Sequence, residues 1–184
     1  MGKPFRTPQK IILDASTISK AKQFGEAVVS TIDYKDSNQS NLEKIRDDHF
    51  ISKLGEEAVK KLMEERGDTV IGPDYTIYDA KKKSWSCDLL INNIEVAVKT
   101  QKKSAASKYG LSWTFQFSPF RKDPILSNPS AWICLVECDD SDVNYSCNVF
   151  PPRKMKSLLL KEPKLQHLKG KKKVVYAEDI LKKM

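Results

Sequence analysis

The chain has 184 residues, enough for one compact domain with its own core and short for two. Hydrophobic residues make up 40% and charged residues 30%, a globular composition that excludes a wholly disordered chain, and no apolar run approaches the ~20 residues that span a bilayer. Thirty-two Lys and Arg against 24 Asp and Glu leave a net charge of +8, which directs the search for partners toward polyanions such as nucleic acid.

The opening residues MGKPFRTPQK contain no apolar core of a signal peptide, and Arg6 stands where a myristoylation signal needs Ser or Thr. The expectation is a cytoplasmic protein without export or membrane anchoring. From Ser16 to Ile32, Ile18, Ala21, Gly25, Val28, Val29 and Ile32 recur at three and four and predict one helix. Beyond the polar stretch 33–39, Ser40 and Glu43 have capping-box spacing, and Leu42, Ile45, Phe50, Leu54, Ala58, Val59, Leu62 and Met63 continue a helical face. That second helix is expected to break near Gly55 or run to a C-cap at Gly67.

From Thr69 the pattern becomes β-rich. Strands are expected at 70–71, 75–78, 85–91, 94–100, 112–117, 131–137 and 147–150, with Trp113, Phe115 and Phe117 on a core face. Pro151-Pro152 predicts a helix reaching Leu160, and 174–176 and 177–183 read as a last strand and helix. The fold class is therefore α/β (α+β), with a central mixed sheet flanked by helices. One domain is divided into a helical part at about 14–66, a sheet core at about 69–150 and a strand and helix part at about 151–184. Cys87, Cys134, Cys138 and Cys147 lack metal-site spacing and read as free thiols, three of them in apolar runs, which suits a reducing compartment.

The most informative segment is 85–101, two apolar runs joined by Asn92-Asn93. Asn tolerates positive φ, so a two-residue hairpin turn is expected, and its register sets Ile91 opposite Ile94, Leu90 opposite Glu95, Asp88 opposite Ala97 and Ser86 opposite Lys99. Side chains alternate along a strand, which aligns Asp88, Glu95, Ala97 and Lys99 on one face. Carboxylates beside a lysine can hold Mg²⁺, with Mn²⁺ as a substitute, while the ammonium orients the attacking water and offsets phosphate charge.

At these residues the chain resembles the PD-(D/E)xK nucleases, in which an Asp on one strand meets an acid-x-Lys on the next. Asp88 matches the first acid and Lys99 the lysine; Ala97 stands at the second acid. Either Glu95 has taken over that role, or the acid was removed to trap an uncleaved complex, or the chain is a natural non-cleaving relative. Pro73-Asp74, upstream of the hairpin, reads as a turn. Many of these nucleases carry a further glutamate on an early helix, and Glu56 in Gly55-Glu56-Glu57 resembles it. The resemblance implies a restriction-endonuclease-like core and metal-dependent cleavage of double-stranded DNA. The restriction enzyme of type II is its leading form, a homodimer cutting a short palindrome without any small organic cofactor, and a junction resolvase or repair nuclease is its relative. By it, Asp88, Glu95, Glu56 and Lys99 are the catalytic candidates and Asp88 and Glu95 the metal ligands.

The stretch after Lys99 mixes cations, hydroxyls and amides suited to DNA. Lys102, Lys103 and Lys108 are candidates for phosphates, Ser104 and Ser107 for hydrogen bonds to them, and Gln101 and Gln116 for base edges. The run Lys169-Gly-Lys-Lys-Lys173 is either a second phosphate patch or a solvated turn.

Overall fold

A computed structural model describes residues 5–31, 41–78, 87–141 and 145–182. Two helices dominate the first part. Helix α1, Ala15–Val29, starts at Asp14, whose carboxylate accepts from Thr17 N, and buries Ala21, Gly25 and Val28. Helix α2, Leu42–Glu65, is capped by Asn41, whose side chain accepts from Lys44 N, and Gly67 follows its end at φ 85°. Ser40, Ile32 and the stretch 33–39 lie outside the described residues.

The chain order after β1 (Gln9–Ile12) and the helices is β2 (Val70–Ile71), β3 (Leu89–Ile91), β4 (Ile94–Lys102), α3 (Lys103–Tyr109), β5 (Ser112–Gln116), β6 (Trp132–Asp139), β7 (Ser146–Val149), β8 (Arg153–Lys154), β9 (Lys172–Tyr176) and α4 (Ala177–Leu181). The central sheet runs β1-β7-β6-β4-β3-β2, with β8 sharing an edge of β6. It is mixed, because β4 and β6 are parallel whereas β2, β3 and β4 form an antiparallel meander. Strand β6 is a nearly continuous apolar run, as a strand covered on both faces must be.

Each face of that sheet has its own core. Val96, Val98, Cys134, Val136 and Cys147 pack with Leu54, Ala58, Val59 and Leu62 of α2. On the opposite face Ile133 and Leu135 pack with Trp113, Phe115, Phe150, Val175 and Ile180. The molecule is thus an α+β structure with a mixed sheet between a helical layer and a β5-β9 ribbon backed by α4. Among the described residues no helix is long and apolar enough to cross a membrane.

Three expectations need correction, and one strand is unexpected. Residues 75–78 form no strand: Asp74 closes a turn by accepting from Thr76 N at 2.8 Å, and the Tyr75 ring meets Phe24 edge-on instead of joining a ladder. The helix expected from Pro151 to Leu160 is replaced by β8 and a short 3₁₀ turn, Met155–Ser157, because Arg153 pairs with Ile133 and Lys154 with Trp132. Strand β5 leaves the central sheet to pair with β9, and Phe117 beyond its end is 37% exposed. An N-terminal strand, β1, pairs with β7, and nothing in the periodicity of Gln9–Ile12 announces it.

Helix α2 runs unbroken through Gly55. A Cβ built there would stand 1.9 Å from Thr100 Oγ1 of β4, so only glycine permits this approach of helix to sheet. Gly55→Ala is therefore expected to destabilise the fold by ~1–3 kcal/mol in urea unfolding, although alanine favours helix, and Thr100→Ala in the same chain should recover part of the loss.

Candidate active site

The hairpin forms as its turn residues dictate. Asn92 and Asn93 adopt φ 49° and 63°, and Ile91 pairs with Ile94, Leu90 with Glu95 and Leu89 with Val96. The ladder stops at Leu89, one place before Asp88 and Ala97 would face each other. The Asp88 carboxylate instead accepts a hydrogen bond from Val98 N at 2.7 Å, serving a backbone donor to which β3 offers no partner. Ser86, expected opposite Lys99, lies outside the described residues.

Alternation along β4 sends Val96 and Val98 into the helix-side core, whereas Ala97 packs against the Trp113 and Phe115 core. Lys99 shares the latter face. Its ammonium lies 5.4 Å from the centre of the Phe115 ring and 2.9 Å from Asp123 Oδ2. The same Asp123 oxygen accepts from Gln116 N at 3.1 Å.

Glu56 reaches the open end of the hairpin from α2. It is only 3% exposed, and it accepts from Ser52 Oγ at 3.2 Å and from Lys53 Nζ at 2.5 Å. Lys53 is itself enclosed by aromatic rings, 5.0 Å from the centre of Phe24 and 5.5 Å from that of Tyr75. Burial raises the Glu56 carboxyl from its ordinary 4.5 to about 7; the Lys53 charge opposes the rise and the Asp88 charge adds to it. Asp88 is also raised, chiefly by burial. The Val98 N–H, Lys99 and Lys53 hold it down, and Asp123 pushes it up.

The Asp88 carboxylate thus meets the charge of Lys53 from the helix side and those of Lys99 and Asp123 from the Phe115 side. A cavity of about 280 Å³ opens beside it, lined by Glu56, Asp88, Lys53, His49, Asp74 and Tyr78 among others. Among the described residues no group of three or more His, Cys, Asp or Glu side chains is arranged to hold a metal ion. Glu56, buried, and Asp88, half-buried, both line that cavity and could meet a hard divalent cation there. Mg²⁺ commonly takes one or two protein carboxylates and completes its shell with water and substrate phosphate.

The other candidates are dispersed. Glu95 stands on β4 opposite Leu90, exposed, and its charge acts on the thiol of Cys87. Asp74 accepts from Tyr78 Oη at 2.6 Å in the turn expected for it. Gln101 is occupied internally, its side chain accepting from Ser112 N at 2.7 Å. Lys102 pairs with Asp47, Lys103 lies 2.6 Å from Asp139, and Ser104 is bonded to Asp140 through both backbone and side chain. Ser107 Oγ donates to Lys103 O at 2.9 Å within α3, Lys108 is exposed with its ammonium 5.1 Å from the centre of the Tyr109 ring, and Gln116 ends β5.

Lys53 and Asp123 are the charged groups that sequence reasoning misses. Lys53 lies on the same early helix as Glu56 at a spacing of three, but nothing in the spacing shows that aromatic rings bury it. Asp123 precedes Pro124 and reads as an ordinary turn residue. No family model, curated protein or solved structure matches the chain.

Because its carboxyl is raised, the stability contributed by Glu56 is complete below pH 4.5 and is lost as pH rises through about 7. Urea unfolding of the metal-free protein should show that loss, up to ~3 kcal/mol, with Asp88 acting in the same direction. Glu56→Gln should flatten the profile between those pH values, and an equally steep profile in that variant would assign the titration to other groups.

Proposed function

We propose that this chain is a metal-dependent endonuclease of the PD-(D/E)xK type acting on double-stranded DNA, in the manner of a small type II restriction enzyme that works as a homodimer. The observation that carries this reading is that Glu56 of α2 and Asp88 at the open end of the hairpin line one cavity, while the charge of Lys99 acts on Asp88 from the other face of β4. The net charge of +8 supports a polyanionic substrate.

In this reading Glu56 and Asp88 hold Mg²⁺ or Mn²⁺, which when bound supplies charge neutralisation at the phosphate and a more acidic water. The remaining work falls to the chain. The Val98 N–H fixes the orientation of the Asp88 carboxylate, and Lys53 holds Glu56 in place and offsets its charge. Lys99, supported by the Phe115 face, presents its ammonium to the scissile phosphate, which competes with Asp123 for it.

The acid missing at Ala97 has a better substitute in Asp123 than in Glu95. Asp123 touches Lys99 and acts on Asp88, whereas Glu95 is exposed further along β4. A second reading, a DNA-binding relative that does not cleave, is favoured by one observation. The Ala97 methyl packs against the Trp113 and Phe115 core, where a carboxylate would be costly.

Incubation with plasmid and phage DNA in Mg²⁺ or Mn²⁺ should give discrete fragments. Asp88→Asn and Lys99→Ala should each lower the rate by at least ~100-fold with circular dichroism unchanged. Asp123→Asn should be similarly damaging and Glu95→Gln mild; the reverse order would return the second-acid role to Glu95. If the wild-type chain binds DNA without cutting it and Ala97→Asp and Ala97→Glu are equally silent, the non-cleaving reading holds.

The cations after Lys99 are expected to contribute unequally. Lys108→Ala should reduce the salt dependence of DNA binding by up to ~0.9 log unit if it makes one phosphate contact. Lys102→Ala and Lys103→Ala should change it less, because Asp47 and Asp139 already neutralise them. Equal effects of all three in a binding titration would place Lys102 and Lys103 on phosphates too.

A further inference from the structure

Among the described residues Phe120 is the outlier of the surface. It is 99% exposed, whereas the next most exposed large hydrophobic side chain, Ile71, stands at 61%. A phenylalanine wholly in water forgoes roughly 1.5–3 kcal/mol of burial, which invites a partner.

Phe120 does not sit on a loose loop. Phe117 and Lys122 form a β-bridge, and inside it Ser118 and Arg121 exchange backbone hydrogen bonds, with Ser118 N to Arg121 O at 2.9 Å and Arg121 N to Ser118 O at 3.3 Å. The result is a tight hairpin whose tip is Ser118-Pro119-Phe120-Arg121. Its base is tied to the candidate site, for Asp123 N donates to Gln116 O and the Asp123 carboxylate accepts from Lys99.

The surroundings are cationic. Lys122 and Lys173, the latter paired with Glu162, lie 5.5 Å and 4.9 Å from the centre of the Phe117 ring, and Phe117 N donates to Lys171 O, which seats the hairpin on the Lys169–Lys173 run. Burial chiefly lowers the Lys172 ammonium, Asp123 opposes the shift, and the charges of Lys99 and Arg121 add to it, so these groups share one neighbourhood. An exposed apolar ring framed by cations matches a base stack edged by phosphates, and matches a purely apolar protein surface poorly.

We propose that the hairpin 117–122 is a DNA wedge: Phe120 enters a base step of the duplex next to the cleavage position, while Lys122, Lys169 and Lys171 hold the flanking phosphates. This inference rests on the DNA-directed reading of the site above. It adds the element that grips the duplex and explains a lysine run that the hairpin chemistry leaves unused.

The test is equilibrium binding of the full chain, without divalent metal, to duplexes of random sequence in which 2-aminopurine replaces adenine, across a salt series. Wild type should bind and raise 2-aminopurine fluorescence as a step unstacks. Phe120→Ala should bind about 10-fold more weakly, lose that signal and keep the same salt slope, because no phosphate contact is removed. Phe120→Trp should restore affinity, and Lys122→Ala should flatten the slope. If wild type fails to bind duplex, the nuclease reading falls and the wedge with it. Wild-type affinity and fluorescence in Phe120→Ala would overturn the wedge alone, leaving the site intact. Loss of self-association in that variant without DNA would overturn it in favour of a contact between copies.

Discussion

The close approach of α2 to β4 at Gly55 is the contact on which the arrangement depends. With no side chain at that position, the helix settles onto Thr100 and brings the next residue, Glu56, to the end of the neighbouring hairpin. A side chain at position 55 would overlap the Thr100 side chain, so helix or sheet would have to shift. The core on that face, with Leu54, Ala58, Val59 and Leu62 against Val96 and Val98, holds the approach in place.

Burial of charge is the second organising constraint. Glu56 is buried and Asp88 half-buried, and the Asp88 charge adds to the cost of ionising Glu56. The chain answers with two lysines set on different sides. Lys53 serves Glu56 from within a cage of Phe24 and Tyr75, and Lys99 reaches Asp88 from the other face of β4 with Phe115 beneath it. Asp123 then balances Lys99. Such a network is costly as a device for stability alone, since a buried ion pair seldom outperforms well-packed apolar groups. Concentrated perturbed carboxylates beside a cavity are characteristic of sites that bind cations or move protons.

Local sequence determined a good deal of this protein. The Asn92-Asn93 turn sets the hairpin register, and the alternation on either side of it agrees, because a one-residue slip would carry Leu89, Ile91, Val96 and Val98 out of the core. The helical faces of α1 and α2 and the apolar run of β6 were equally legible, since each is written in short-range periodicity. Asp88, Lys99 and Glu56 could be singled out from residue type and position; Glu56 and Asp88 line one cavity, whereas the Lys99 ammonium lies on the Phe115 face of β4 beside Asp123.

Tertiary structure alone decided the rest. Strand β1 exists because β7 presents an edge for it, and β5 leaves the central sheet because β9, some sixty residues later, completes the ribbon that covers Ile133 and Leu135. Neither partnership leaves a mark in local periodicity, because a ladder hydrogen bond is made by backbone groups that every residue carries. The identities of the two supporting charges were hidden for a related reason. Lys53 and Asp123 acquire their roles from burial and from neighbours on other elements, which no spacing along the chain encodes. Residue type thus marked where chemistry was available, and packing decided which of those residues meet.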